Sequence, residues 1–467
     1  MTIRRTAGNR QPLPGTGSAG RRGPALRGPG ALVCAVAVAA TTLAGCASDT
    51  AGGDKVITAL VPAAGAGLAS QYAEYYKALA AEFKATTGAT VKFQYFNSPD
   101  QETTLIQTSL VSGSGPDIVD YGSSFGGTLY ETGGFLTLTE DDWKAVGGRD
   151  TFIPALLSMS GKGEGKEIGI PHTTVPYVMA YNTAMFAKAG IDRPPTTWTE
   201  WIDDAKRLQK ANPGVHGVGI DPADGFDPWK FAWSYTHQLG GSGFLSKDGK
   251  TAALDSPQLN SAVDFYFAQI YQHKVAPAES LTWNNAQMVA AFLGGKVAML
   301  PIATNSVQLA AADQPIAKDI GLAPMPNVPY GMTERPAGGT PAQSIVAGRD
   351  WAIPSYAKGK KDLALALAKA SVSPSVNKKQ YELTGWMPAT TAGMDQLATD
   401  HPEAKPLIAV AGQEEPTEFT GAWSYIQTGI GTAIKNVAGN LATTGSWKPD
   451  YLTAQLANQN KAVQAHL

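Results

Sequence analysis

The chain has 467 residues, 43% of them hydrophobic, with 37 basic against 39 acidic side chains and only two cysteines. That length suggests two domains or two lobes, and the apolar share allows each a full core. Both cysteines lie in the first 46 residues, so a disulfide framework in the body is excluded.

Residues 1–30 carry six arginines (Arg4, Arg5, Arg10, Arg21, Arg22, Arg27) and no acid, followed by an apolar run from Ala31 to about Ala40 and small residues up to Cys46. A basic start, a short apolar run and a small-residue cleavage point describe a secretory signal. The run is too short for a membrane span, which needs about 20 residues. Leu43-Ala44-Gly45-Cys46 resembles the bacterial lipobox. That resemblance implies a lipoprotein signal over residues 1–45, lipidation of Cys46, loss of Cys34, and a lipid-anchored linker over 46–54. The protein is then exported and held on the outer face of the cell membrane by its N-terminal lipid only. The pairs Arg4-Arg5 and Arg21-Arg22 raise a twin-arginine route, but neither is followed by the apolar pattern of that signal. Removal of residues 1–45 leaves 31 basic against 39 acidic side chains, a net charge of −8, and five arginines. Such a body lacks the basic stripe of a nucleic-acid binder and is poorly equipped to grip phosphate through arginine forks.

Val56–Ala63 reads as a strand. The helix that follows places Tyr72, Tyr76, Leu79 and Phe83 on one face and stops at Gly88. TVKFQYF is a strand with Val91, Phe93 and Tyr95 inward. Ser98 caps the next helix and Pro99 suits its first position, with Leu105, Ile106 and Leu110 buried. A turn over Ser112–Asp117 leads to the short buried strand IVDY. Strand, helix, strand, helix, strand argues for a parallel sheet with crossover helices. Ile168–Tyr181 is extended and broken by Pro171 and Pro176. Thr197-Trp198-Thr199-Glu200 is a capping box, with Trp201, Ile202, Ala205 and Leu208 on the face behind it. Ser256-Pro257 opens a helix carrying Leu259, Val263, Phe267 and Ile270. Lys296–Leu300 is a strand, Asp362–Ala370 a helix, and the tail after Gln413 largely helical.

Gly122-Ser123-Ser124-Phe125-Gly126 matches G-x-S-x-G between a strand and a helix, the setting of a nucleophile elbow. A serine hydrolase using Ser124 is therefore a rival reading, but the histidines are scattered singly and no HGGG-type oxyanion loop is present. Gly243–Thr251 has five residues between its glycines where a phosphate loop has four, so an Asp-Gly turn fits better. No Cys/His cluster has zinc spacing, and the adjacent carboxylates Asp141-Asp142, Asp203-Asp204 and Glu414-Glu415 read as solvated faces. No metal and no cofactor are expected. Trp229, Trp233, Trp283, Trp386 and Trp423 lie in segments rich in Gly, Pro, Asn and Ser. Loop aromatics between two lobes can stack on a ligand with apolar faces and polar edges, such as a sugar.

Several stretches together resemble the extracellular solute-binding proteins of bacterial ABC importers, of the sugar-binding type. They are AEYYKALAAEFKATTGATVKFQYFNSPD, SGSGPDIVDYGSSFGGTLYETGGFLTLTE, GKEIGIPHTTVPYVMAYNTAMFAKAGIDRPPTTWTEWIDDAKRL and AFLGGKVAML. The resemblance implies an α/β, two-lobe periplasmic-binding-protein fold (type II), with mixed or parallel sheets flanked by helices and discontinuous lobes joined by hinge crossings. Residues 55–173 with 300–340 would form the first lobe and 174–299 with 341–467 the second. The chain would cross near Thr173–Val175, near Gly338–Ser344 and around 390–410. The implied role is capture of a neutral mono- or oligosaccharide by hinge closure and delivery to the transmembrane subunits of an ABC permease. No chemistry is done on the ligand, and the protein is a monomer. Ligand residues carried over are Asn97, Tyr121, Ser123, Ser124, Tyr177, Trp233, Gly339, Thr340 and Trp423, with Trp283 and Trp386 added as loop aromatics. Asn305 stands where relatives place an aromatic, which removes one stacking surface. A glycerol-phosphate ligand is the alternative within the family, with Lys230 as its cation.

Overall fold

The computed structural model describes residues 55–64, 68–303 and 306–467. The signal segment, Cys46, the linker over 46–54 and Asn305 lie outside the described residues.

Among the described residues, ten strands form two sheets. In chain order they are β1 (Val56–Pro62), β2 (Thr90–Phe96), β3 (Ile118–Gly122), β4 (Gly169–Thr174), β5 (Tyr177–Asn182), β6 (His216–Val218), β7 (Val297–Ala303), β8 (Ile320–Pro324), β9 (Gly348–Ala352) and β10 (Met387–Pro388). The first sheet has the order β10-β4-β9-β3-β1-β2 and the second β6-β7-β5-β8. β1 pairs in parallel with both β2 and β3, as the strand–helix–strand pattern requires, while β9 runs antiparallel between β3 and β4.

Side-chain alternation decides what each face of the first sheet carries. Ile57, Ala59, Val61, Ile118 and Trp351 enter one core, where the helix Ala69–Thr87 supplies Tyr75, Tyr76, Leu79 and Phe83. Leu60, Val119 and Ala352 point the other way, onto Ile106 and Leu129. In the second sheet Met179 faces the tryptophan-rich core with Trp198, Trp201 and Ile202, while Val178 and Ala180 face Leu407 and Val410. Local signals form as read. Ser98 Oγ accepts the Gln101 N–H at 3.2 Å, and Gly88 ends its helix at φ 70°. Thr197 and Glu200 satisfy each other's backbone N–H groups at 3.0 and 3.3 Å.

Three segments cross between the lobes side by side. Val175 N–H donates to the Ala347 carbonyl at 2.8 Å, and Tyr177 N–H to Ser344 Oγ at 2.9 Å. Ile345 bridges Glu415 in parallel. The buried carboxylate of Glu414 ties the three together, accepting Thr174 Oγ1 at 2.9 Å and Ser344 Oγ at 3.4 Å.

Four expectations need correction. The third crossing lies at Glu414–Glu415 and not around 390–410. Residues 300–340 do not complete the first sheet, because β7 and β8 both pair antiparallel with β5. Residues 341–467 do not all belong with the second, because β9 and β10 lie in the first. In β2, Tyr95 is exposed and Phe96 is buried. β2 is the edge of its sheet, so Tyr95 meets Tyr76 yet stays open to solvent, while Phe96, on the opposite face, is buried with Leu60 and Ile106.

Candidate ligand-binding cleft

The C-terminal ends of β1, β2 and β3 open on one side of the first sheet, the place where open α/β sheets bind ligands. A cavity of about 240 Å³ there is lined by Asn97, Ser98, Glu102, Ser124 and Arg349, and by Phe226 from the second lobe. Phe226 packs against the first-lobe cluster that holds Phe96 and Phe125. The Lys230 ammonium lies over the same ring, 4.0 Å from its centroid.

Arg349 is clamped from behind. Its Nε donates to Asp120 Oδ1 at 2.6 Å, and its Nη2 to Glu102 Oε1 at 3.0 Å and to the Asp120 carbonyl at 2.9 Å. Burial pushes both carboxyls up, and Arg349 opposes it. For Asp120, with His172 at 3.3 Å as a further partner, the opposing charges win and its pKa falls below the usual range. For Glu102 burial wins and the pKa rises.

A larger cavity of about 850 Å³ lies beside the first, walled by Tyr72 and Trp386 from the first lobe and by Asp224, Asn284 and Asn285 from the second, with Val175 of the crossing among its lining. Tyr72 and Trp386 meet edge to face, centroids 5.4 Å apart. Asp224 heads a run of three carboxylates, Asp221, Asp224 and Asp227, with one oxygen of each within 4.8 Å of the others, close enough to hold a cation. Asp224 Oδ1 accepts the N–H groups of Phe226 and Asp227 at 2.8 and 3.1 Å, which sets the turn that projects Phe226. Lys230 is salt-bridged to Asp227.

Of the residues expected at the site, Asn97 and Ser124 line the smaller cavity and Trp386 the larger. Tyr177 is buried at the crossing, 5.4 Å from Lys230 Nζ to its ring. The others are placed elsewhere. Tyr121 is buried, with its hydroxyl 3.4 Å from Asp350 Oδ2. Ser123 is buried with its hydroxyl unpartnered. Trp283 offers its carbonyl to Ala223 at 3.1 Å and packs against the core behind the second sheet. Trp233 donates to Glu418 at 3.1 Å and lies on His237. Trp423 is 0% exposed and packs edge to face on Trp229. Gly339 and Thr340 pack on the end of the helix Pro228–Gln238, where Thr340 N–H donates to the His237 carbonyl at 3.1 Å. The Gly- and Pro-rich surroundings of Trp229 and Trp423 are helix starts, and Trp233 lies in the middle of the helix Pro228–Gln238. Ser124 has no histidine hydrogen-bonded to it among the described residues, and His172 stacks on Trp351.

Sequence reasoning missed Glu102, Arg349, Phe226 and Asp224. Asp221, Asp224 and Asp227 recur every third residue in a Gly/Pro segment, and Arg349 is one of five arginines left after the signal. Those were the available signals.

Residues 69–378 match the family described as bacterial extracellular solute-binding protein. A binding protein of Brucella abortus (strain 2308) is 26% identical over 286 residues, 58% of this chain and 64% of that one. The chain thus spans less than two thirds of that curated relative. The diacetylchitobiose binding protein DasA of Streptomyces coelicolor is 24% identical over 356 residues, 75% of this chain and 77% of that one. Among solved structures, maltose-bound MalE3 of T. maritima superposes with a TM-score of 0.74 at 20% identity, covering 88% of this chain and all of that one. A solute-binding protein of Thermotoga lettingae bound with alpha-D-tagatose gives 0.72 at 24%, covering 88% of this chain and 100% of that one. At these identities the superpositions speak for the fold: two lobes of type II, with mixed sheets flanked by helices.

Proposed function

We propose that this chain, which belongs to the bacterial extracellular solute-binding protein family, is the receptor of an ABC importer. It captures a mono- or oligosaccharide without an anionic group between its lobes and presents it to the permease. One observation carries the reading: a pair of cavities walled by both lobes, bearing aromatic rings and hydrogen-bonding side chains, beside three adjacent chain crossings. A ligand there favours closure through contacts it makes better in the closed form. An anionic solute such as glycerol phosphate is disfavoured, because Arg349 is spent on Asp120 and Glu102 and Lys230 on Asp227. A hydrolase reading is disfavoured by the unaided Ser124. The receptor is held to the outer face of the membrane through lipid on Cys46. No helix among the described residues is long and apolar enough to cross a membrane.

The test is a thermal-shift screen of the exported protein against neutral sugars, amino sugars, sugar acids, polyols and glycerol phosphate. A ligand at about 100 times its Kd stabilises by about 2.7 kcal/mol, an easily measured shift. Sugar hits whose binding weakens in Trp386→Ala support the reading. A response confined to anions overturns it. Cys46→Ala should move the processed protein from the membrane fraction to the medium, and continued membrane retention of the processed protein would refute the anchor.

A further inference from the structure

The larger cavity is charged with one sign only. Among its described lining residues the ionisable acids are Asp224 and Asp313, and no lysine, arginine or histidine lines it. Behind Asp224 stand Asp221 and Asp227. Asp221 is 2% exposed; its Oδ1 takes the Tyr266 hydroxyl at 3.2 Å, but its Oδ2 has no hydrogen-bond donor. A buried carboxyl oxygen left without a hydrogen-bond partner is costly. The two nearby cations are already engaged. Lys230 lies on Asp227, and Arg349 is shared by Asp120 and Glu102. Around the cleft this leaves more carboxylates than cations. Tyr72 and Trp386 add aromatic surface on the opposite wall, which attracts positive charge.

We propose that the captured solute carries a basic amine, as an amino sugar or a similar polyhydroxylated amine does, and that its ammonium is neutralised at Asp224, with Asp221 and Asp227 close behind it. This rests on the cleft-binding reading above and replaces the neutral sugar expected from sequence with one whose hydroxyls are joined by a single positive charge. The ammonium enters at Asp224, which faces the cavity, and its charge satisfies the group as a whole.

Isothermal titration of the exported protein tests this. The panel pairs amino monosaccharides and disaccharides with their hydroxyl and N-acetyl counterparts at neutral pH and low salt, and calcium chloride is titrated alone. The best amine ligand should bind at least about tenfold more tightly than both counterparts, the size of one charge-assisted hydrogen bond. That ratio should fall close to one in Asp224→Asn and in Asp221→Asn, each checked for folding by its thermal melt. Equal affinity for amine and hydroxyl sugars, or preference for the acetylated form, overturns the amine while leaving the sugar receptor standing. So does calcium binding on its own, with sugar binding abolished by chelator, which would make the three aspartates a metal site. A panel in which no sugar binds overturns the receptor's sugar reading and this inference with it.

Discussion

Replacing Arg349 by methionine tests the electrostatic design of the first-lobe wall. The guanidinium bonds Asp120 at 2.6 Å and Glu102 at 3.0 Å. Both carboxylates are buried. Methionine keeps much of the length and finds an apolar neighbour in Phe96, whose ring centroid lies 5.1 Å from the guanidinium carbon. What it removes is, among the described residues, the only arginine bonded to the pair. Removing one partner of a buried ion pair costs about 3–5 kcal/mol, because the remaining charge is stranded. The sign with pH follows. In the parent, Asp120 lies below its usual range, so its contribution is present at neutral pH and is lost in acid. In the variant, burial acts on both carboxyls without opposition from Arg349, their folded pKa values rise, and stability is lost as pH increases. The gap between parent and variant is therefore largest at pH 8 and narrows at pH 5. Urea unfolding at both values, followed by tryptophan fluorescence, measures it. Arg349→Met combined with Glu102→Gln and Asp120→Asn should recover most of the loss at pH 8. A loss below about 1 kcal/mol at pH 8, a value typical of exposed pairs, or one that does not narrow in acid, would refute the reasoning.

Three further outcomes are expected. Burial pushes Asp350 from 3.8 up to about 7, so its effect on stability is best in acid and worsens as pH rises through that value. Asp350→Asn should be the more stable protein at pH 8, by up to roughly 4 kcal/mol at 1.36 kcal/mol per unit, with the gap closing near pH 4; a variant less stable than the parent at pH 8 contradicts this. Trp386→Ala should weaken sugar binding by about 2- to 13-fold, the 0.5–1.5 kcal/mol of an aromatic contact, whereas Trp423→Ala should lower stability by about 3–5 kcal/mol as a core truncation; titration and urea midpoints separate the two, and the reverse pattern would place Trp423 at the ligand. Asp221 is held well above the usual carboxylate range by burial and by Asp227 and Asp224, with Lys230 and the Tyr266 hydroxyl opposing. An arriving ammonium favours its ionised form, so binding should release a proton and weaken as pH falls through the range in which Asp221 is protonated. Titration in two buffers of different ionisation enthalpy reads that proton, and no buffer dependence would count against it.

Local features were legible because their physics is local. Ser98, Thr197 and Ser256 each cap a helix from within three residues, and Trp198 and Trp201 recur on the buried face of their helix. Which sheet a late strand joins was not legible, since β9 finds its place between β3 and β4 only through partners far away in the chain. The same distance hid the site. Glu102 sits on a helix and Arg349 on a strand some 247 residues later, and nothing in either segment announces the other. Loop composition misled for Trp423, because a helix start and a ligand loop draw on the same Gly, Pro, Asn and Ser, and for Trp233, because it lies in a short helix between two such segments.

The interleaving of the two sheets also bears on how the chain comes to be folded as it leaves the cell. All four strands of the second sheet lie between Tyr177 and Pro324, whereas the first sheet waits for Gly348–Ala352 to enter its middle. Until that stretch has emerged, β3 and β4 face each other across a gap, with unpaired edges that invite pairing with other chains. The second lobe is thus able to complete its sheet first, and the first lobe closes around a strand delivered from beyond it. Pulsed hydrogen exchange during refolding should find protection in β5 and β7 ahead of β3 and β4. A chain stopped before residue 348 should expose the raw edges and aggregate.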